Sequence, residues 1–170
     1  MRGDLTRNMP HFIIHALQSG KGILALSPIP GGSGEYAADL EHLREWQPAM
    51  LISLTSMVEM VAAGAASLGQ DMLDSGTRWV HLPIADFGTP DAGFEDAWPQ
   101  VSQLARQALH GGGRVLVHCR GGCGRSGMVA LRLMIESGEK PAAALAHLRR
   151  VRPCAVETEA QRQWAFDGRG

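Results

Sequence analysis

One cysteine and one arginine frame a short glycine-rich stretch, His118-Cys119-Arg120-Gly121-Gly122-Cys123-Gly124-Arg125-Ser126. An apolar run, Arg114-Val115-Leu116-Val117, precedes it and reads as a buried strand. From Met128 to Ile135 apolar residues recur at helical spacing, and Gly138 supplies a stop. A loop between a strand and a helix N-terminus can aim the backbone N–H groups of residues 120–125, with the positive end of the helix dipole, at one point. Gly121, Gly122 and Gly124 let the chain turn tightly there. The planar fork of Arg125 matches two oxygens of a phosphate. The same positive field favours a thiolate over a thiol at Cys119. A thiolate beside an oxyanion cradle is the equipment for nucleophilic displacement at phosphorus.

Such a displacement leaves an alkoxide or phenoxide, which needs a proton from an acid on a loop that can close over the phosphate. Ile84-Ala85-Asp86-Phe87-Gly88-Thr89-Pro90 follows a strand-like run and carries the glycine and proline of a shaped loop. Asp86 is the candidate acid, and Asp91 its rival, ranked lower because it suits a helix N-cap.

The pattern His-Cys, five residues, Arg-Ser resembles the signature loop of the cysteine-dependent dual-specificity phosphatases. Within them it is most similar to the cyclin-dependent-kinase-associated phosphatase branch, as is the Leu-Ser-x-x-Pro-Gly pattern ending at Gly31. The resemblance covers roughly residues 22–165 and implies a cysteinyl-phosphate intermediate with no metal or cofactor. It implies that Cys119 is the nucleophile, that Arg125 and the loop from Arg120 to Gly124 hold the phosphate, and that Asp86, 33 residues ahead of the cysteine, is the acid. His118 fixes the loop, and Ser126 donates to the sulfur when it leaves. Gln161, in Val156-Glu157-Thr158-Glu159-Ala160-Gln161, resembles the glutamine that faces the hydrolytic water, although a solvent-facing glutamine on a capped helix fits the residues equally well.

Two loop positions depart from the pattern. Arg120 is shared with tensin-type phosphoinositide phosphatases, whose second basic residue is replaced here by Cys123. Cys123 reads as a small packed side chain or as an oxidation partner for Cys119, and Cys154 is the alternative partner. Under peroxide, one of them is expected to trap Cys119 reversibly, Cys123 ahead of Cys154.

The 170 residues suit one domain, with residues 1–10 expected to be poorly ordered. A net charge of −1 excludes bulk attraction to nucleic acid or anionic membrane. Three cysteines and no secretory leader argue against a disulfide framework and for a reducing, cytoplasmic location. His11 and His15 could pair on a helix, but a short strand or ordinary packing accounts for them better. Gly22–Ser27 reads as the first strand, followed by a helix capped at Ser33 or Gly34 and running to Trp46. Strands at 50–55 and 78–84, a helix or broken pair over 57–74, and helices at 94–109, 141–151 and 157–166 complete the order. Alternating strands and helices predict an α/β domain whose mostly parallel sheet is covered on both faces, of the protein-tyrosine-phosphatase-like type.

The expected activity is hydrolysis of phosphotyrosine, and of phosphoserine or phosphothreonine, on a protein substrate by a monomer. The alternatives are a phosphoinositide or RNA-phosphate phosphatase, a sulfur transferase, and a phosphopeptide-binding module without catalysis.

Overall fold

The computed structural model describes residues 11–168, so the expectation for residues 1–10 lies outside the described residues. Among the described residues, five strands form one sheet in the order β1-β2-β5-β3-β4: β1 (His15–Ser19), β2 (Gly22–Ser27), β3 (Met50–Ser53), β4 (Arg78–His81) and β5 (Arg114–His118). All neighbours are parallel except β1, which pairs antiparallel with β2. The sheet is of the α/β type read from the sequence, with one correction. Gly22–Ser27 is the second strand, because Gly20, at φ 58°, turns His15–Ser19 back onto it as a hairpin. His15 therefore opens a strand, and no helix brings it one turn from His11.

Among the described residues, seven helices connect and cover the strands: α1 (Tyr36–Trp46), α2 (Met57–Ala62), α3 (Leu68–Asp74), α4 (Ala92–His110), α5 (Gly124–Glu136), α6 (Pro141–Val151) and α7 (Glu159–Phe166). Helix α1 starts after Glu35, with no side-chain cap from Ser33 or Gly34. The 57–74 stretch is broken at Gly64, at φ 73°, into α2 and α3. Asp91 caps α4 by accepting the Phe94 N–H at 2.9 Å, the role that ranked it below Asp86. Helix α5 is apolar nearly all round, and every residue from Gly124 to Ile135 except Arg132 is buried. Such a helix belongs at the centre of a domain. It packs on the sheet between α6 and α7, and so fixes the N-terminal end of α5 just beyond β5.

Candidate active site

Strand β5 delivers His118 and Cys119 to the C-terminal edge of the sheet, and α5 begins five residues later. The intervening loop is held against the β2 end: Ile29 N–H donates to Arg120 O at 3.1 Å. Gly122 sits at φ 75°, and a Cβ there would come within 2.7 Å of Ser27 and Pro28 backbone atoms, so only glycine fits. Cys119 is buried at 3% exposure, and its sulfur lies 3.2 Å from Ser126 Oγ. Cys123 occupies the N-cap position, so Ser126 lies inside the first turn, and its hydroxyl meets the sulfur. Among the described residues, the N–H groups of residues 120–125 donate to no other protein group. They are left available for the oxyanion that the glycine spacing predicts.

Arg125 is 1% exposed. Its Nη1 donates to Glu59 Oε1 and to Ile84 O, both at 2.9 Å, and its Nη2 donates to Glu59 Oε2 at 2.9 Å. Asp86 Oδ1 lies 3.4 Å from the same Nη2. Arg125 Nε is buried without a partner among the described residues. Burial opposes the guanidinium charge, but Glu59, Cys119 and Asp86 more than offset it and hold its pKa above the ordinary arginine value. The Arg125 hydrogen bond in turn holds Glu59 below the usual carboxylate range, against the opposing effect of burial. Glu59 is placed by a capping box at the start of α2, where its Oε1 also accepts the Ser56 N–H at 3.1 Å.

Behind the cysteine runs a buried relay. Trp79 Nε1 donates to Ser53 Oγ at 2.9 Å, Ser53 Oγ lies 2.6 Å from His118 Nε2, and His118 Nδ1 lies 3.3 Å from Cys119 O. Burial pushes His118 down from 6.5 to about 4. The neutral ring then donates from Nδ1 to the Cys119 carbonyl and accepts the Ser53 hydroxyl at Nε2. This places His118 where a loop-fixing residue is expected.

The segment after α6 forms the outer wall of the loop and overturns the cysteine expectations. Cys123 is bonded to Cys154, with Cα atoms 5.2 Å apart, and Cys119 is the free cysteine. Neither Cys123 nor Cys154 is thus available as a thiol partner for Cys119, and the odd count conceals one disulfide. The cause is tertiary: α6 returns its C-terminal end to the loop, 31 residues after Cys123. Arg152 donates from Nε to Gly122 O at 3.1 Å and from Nη2 to Gly121 O at 3.0 Å. Val156 N–H donates to Cys123 O at 3.2 Å.

Gln161 is buried as the N3 residue of the α7 capping box, its Oε1 accepting the N–H groups of Glu157 and Thr158. Its Nε2 donates to Gly88 O at 3.2 Å, which ties α7 to the Asp86 loop. Asp86 is half exposed at the mouth of a cleft of about 510 Å³, which also takes in Arg120, Gly121 and Cys123. Val58 and Phe87, 80% and 61% exposed, stand at the same cleft.

Sequence reasoning missed Glu59, Ser53, Trp79 and Arg152. Only Glu59 left a local trace, as the fourth residue of Ser56-Met57-Val58-Glu59, a capping-box pattern. The other three act across strands or from a distant helix end.

Residues 33–165 match the family model described as the DSP-PTPase phosphatase domain of the Swiss Army Knife proteins, PTP-SAK. The chain belongs to this family. It is a dual-specificity, protein-tyrosine-phosphatase-like domain, as its signature loop implies. Cyclin-dependent kinase inhibitor 3 of Rattus norvegicus is 38% identical over 92 residues, which are 52% of this chain and 42% of that protein. The chain thus spans less than half the length of the curated relatives it matches. A kinase associated phosphatase whose catalytic-site cysteine is substituted by serine superposes with a TM-score of 0.80 at 24% identity, over 93% of this chain and 94% of that one. Tk-PTP in its active form is 28% identical, with a TM-score of 0.69 over 85% of this phosphatase domain and 89% of that chain.

Proposed function

We propose that the whole chain acts as one catalytic domain that hydrolyses phosphate monoesters on proteins, phosphotyrosine first, through a phosphocysteine at Cys119. The observation that carries this reading is the buried Cys119 sulfur, 3.2 Å from Ser126 Oγ at the start of α5, in a loop whose N–H groups have no protein acceptor among the described residues. In this reading, Cys119 attacks phosphorus in line. The N–H groups of residues 120–125 and Arg125, whose Nε has no protein acceptor, take the charge of the equatorial oxygens. Asp86 protonates the leaving oxygen and then takes a proton from the water that cleaves the phosphocysteine. Ser126 donates to the departing thiolate. Gln161 holds the Asp86 loop through Gly88, a supporting place one step from the water it was expected to face.

A protein substrate is favoured over a phosphoinositide because the loop carries one basic side chain between Cys119 and Arg125, and the second position is a disulfide-bonded cysteine. The net charge of −1 gives no bulk attraction to nucleic acid or anionic membrane, and among the described residues no helix is long and apolar enough to cross a membrane. The test is Cys119→Ser. It is expected to abolish turnover of a phosphotyrosine peptide while binding of inorganic phosphate survives; steady hydrolysis by the variant overturns the assignment.

A further inference from the structure

The phosphate loop is gripped from outside by the stretch that follows α6. Arg152 ties down two consecutive loop carbonyls, Gly121 O and Gly122 O, at 3.0 and 3.1 Å. Cys154 is joined covalently to Cys123, one residue further along the loop. Val156 N–H then closes on Cys123 O at 3.2 Å, with Val156 itself at φ 68°. A β-branched residue holds that left-handed conformation only where its surroundings impose it. Here Arg149 Nη2 holds the Val156 carbonyl at 3.0 Å. Each grip takes hold of a carbonyl or side chain of the loop. None of these grips uses a loop N–H group, and those of residues 120–125 have no protein acceptor among the described residues, which leaves them free for an oxyanion.

From this geometry we infer that Arg152 and the Cys123–Cys154 bond are positioning groups for catalysis, and that the disulfide makes the phosphate loop redox-responsive: fully competent when bonded, slackened when reduced. The inference rests on the phosphatase reading above. Its sense is opposite to that of Cys119 itself, which must stay reduced to act as a nucleophile. The chain therefore works best in a mixed state, with one thiol and one disulfide. Cys154 is exposed, and a thiolate reductant can reach it. A dithiol such as dithiothreitol attacks one sulfur, and the mixed disulfide resolves within the reagent. The protein gains two electrons and two protons as Cys123 and Cys154 thiols, and the reagent leaves as its cyclic disulfide. Arg152 then holds the loop with two hydrogen bonds and no covalent anchor.

The experiment compares wild type prepared without reductant, wild type treated with dithiothreitol, and Cys154→Ser. Thiol titration of the unfolded chain defines the first two states, with one thiol expected before reduction and three after. Two quantities are read well below the melting temperature: kcat/KM on an aryl phosphate, and the affinity for inorganic phosphate as a competitive ligand or by calorimetry. Reduction is expected to lower kcat/KM by about ten- to a hundredfold, the usual cost of displacing a reacting group by a fraction of an ångström or more. Phosphate affinity is expected to fall with it. Cys154→Ser is expected to show the lowered values without reductant and no response to it, at an unchanged far-ultraviolet spectrum. Equal kcat/KM and equal phosphate affinity in all three preparations overturn the inference. If no preparation hydrolyses the aryl phosphate, the phosphatase reading fails, and phosphate affinity alone decides whether the clamp shapes an anion site.

Discussion

Asp86 and His118 act at opposite ends of the Cys119 environment, and each makes a separate prediction. Asp86 sits at the cleft mouth, 3.4 Å from Arg125 Nη2, so the loop that carries the proposed acid lies against the arginine of the phosphate loop. Asp86→Asn keeps that shape and removes the proton, so kcat is expected to fall by about 10²–10⁴ with little change in KM. Steady-state kinetics over leaving groups of graded acidity check this, because the loss must shrink as the leaving group needs less protonation. Asp91→Asn is expected to lower the melting temperature slightly and leave kcat alone, since its carboxylate is spent on the Phe94 N–H. For His118 the prediction concerns pH. The unfolded chain takes up its proton near 6.5, whereas the buried ring resists until about 4. Below 6.5 the unfolded state therefore binds more protons, and the contribution of His118 to stability is full above that pH and lost as pH falls toward 4. Melting temperature against pH is expected to decline over this window, and less steeply in His118→Gln.

At the scale of elements, the loop and α5 form one unit stapled to the end of α6. The Cys123–Cys154 bond spans 31 residues and encloses all of α5 and α6. In the chain-entropy account, a loop of that size is worth about 3–4 kcal/mol. Cys154→Ser is then expected to melt about 10 °C lower by calorimetry, at roughly 2–4 °C per kcal/mol for a chain of this length. The same unit shows which parts of the site could be read in advance. The strand, the glycine turn and the helix were legible because β-branched apolar residues, glycines and a helical apolar period lie within about 25 consecutive positions. The placing of the Asp86 loop at the site was legible because a strand end followed by Asp, Gly and Pro is a local pattern. The disulfide was not, because no local preference reports that α6 turns its end back to the loop. Strand β1 was hidden for a different reason. Its residues, His15-Ala16-Leu17-Gln18-Ser19, are too short and too polar to stand out, and the pairing with β2 gives them their strand form. Ser53 and Trp79 were invisible because Ser53 reaches His118, and Trp79 reaches Ser53, only across neighbouring strands of the sheet.

The whole molecule meets in Arg125. Helix α2 supplies Glu59, the stretch after β4 supplies Ile84 O and Asp86, and α5 supplies the guanidinium itself. Two crossovers of the sheet and the helix that follows its last strand are thus joined at one buried cation, and its orientation toward the loop is set from 66 residues away in sequence. Two charge-assisted bonds donated to the Glu59 carboxylate fix the plane of the fork. Glu59→Gln keeps the shape and the capping of α2 but can accept only one of those bonds, and it leaves the buried guanidinium without its closest counter-charge. The expected result is a fall in kcat/KM of about ten- to a hundredfold, the scale on which small displacements of reacting groups cost rate. Phosphate affinity is expected to change less, since the loop N–H groups remain in place. Acid sensitivity supplies a second reading. Glu59 is held below its usual 4.5 chiefly by Arg125, so its contribution to stability is present above that pH and lost as pH falls through its depressed folded value. The variant lacks that group, so the part of acid unfolding below about pH 4.5 that belongs to Glu59 must disappear from its melting profile. An unchanged kcat/KM in Glu59→Gln would mean that neither the charge nor the second bond of Glu59 is needed to aim Arg125.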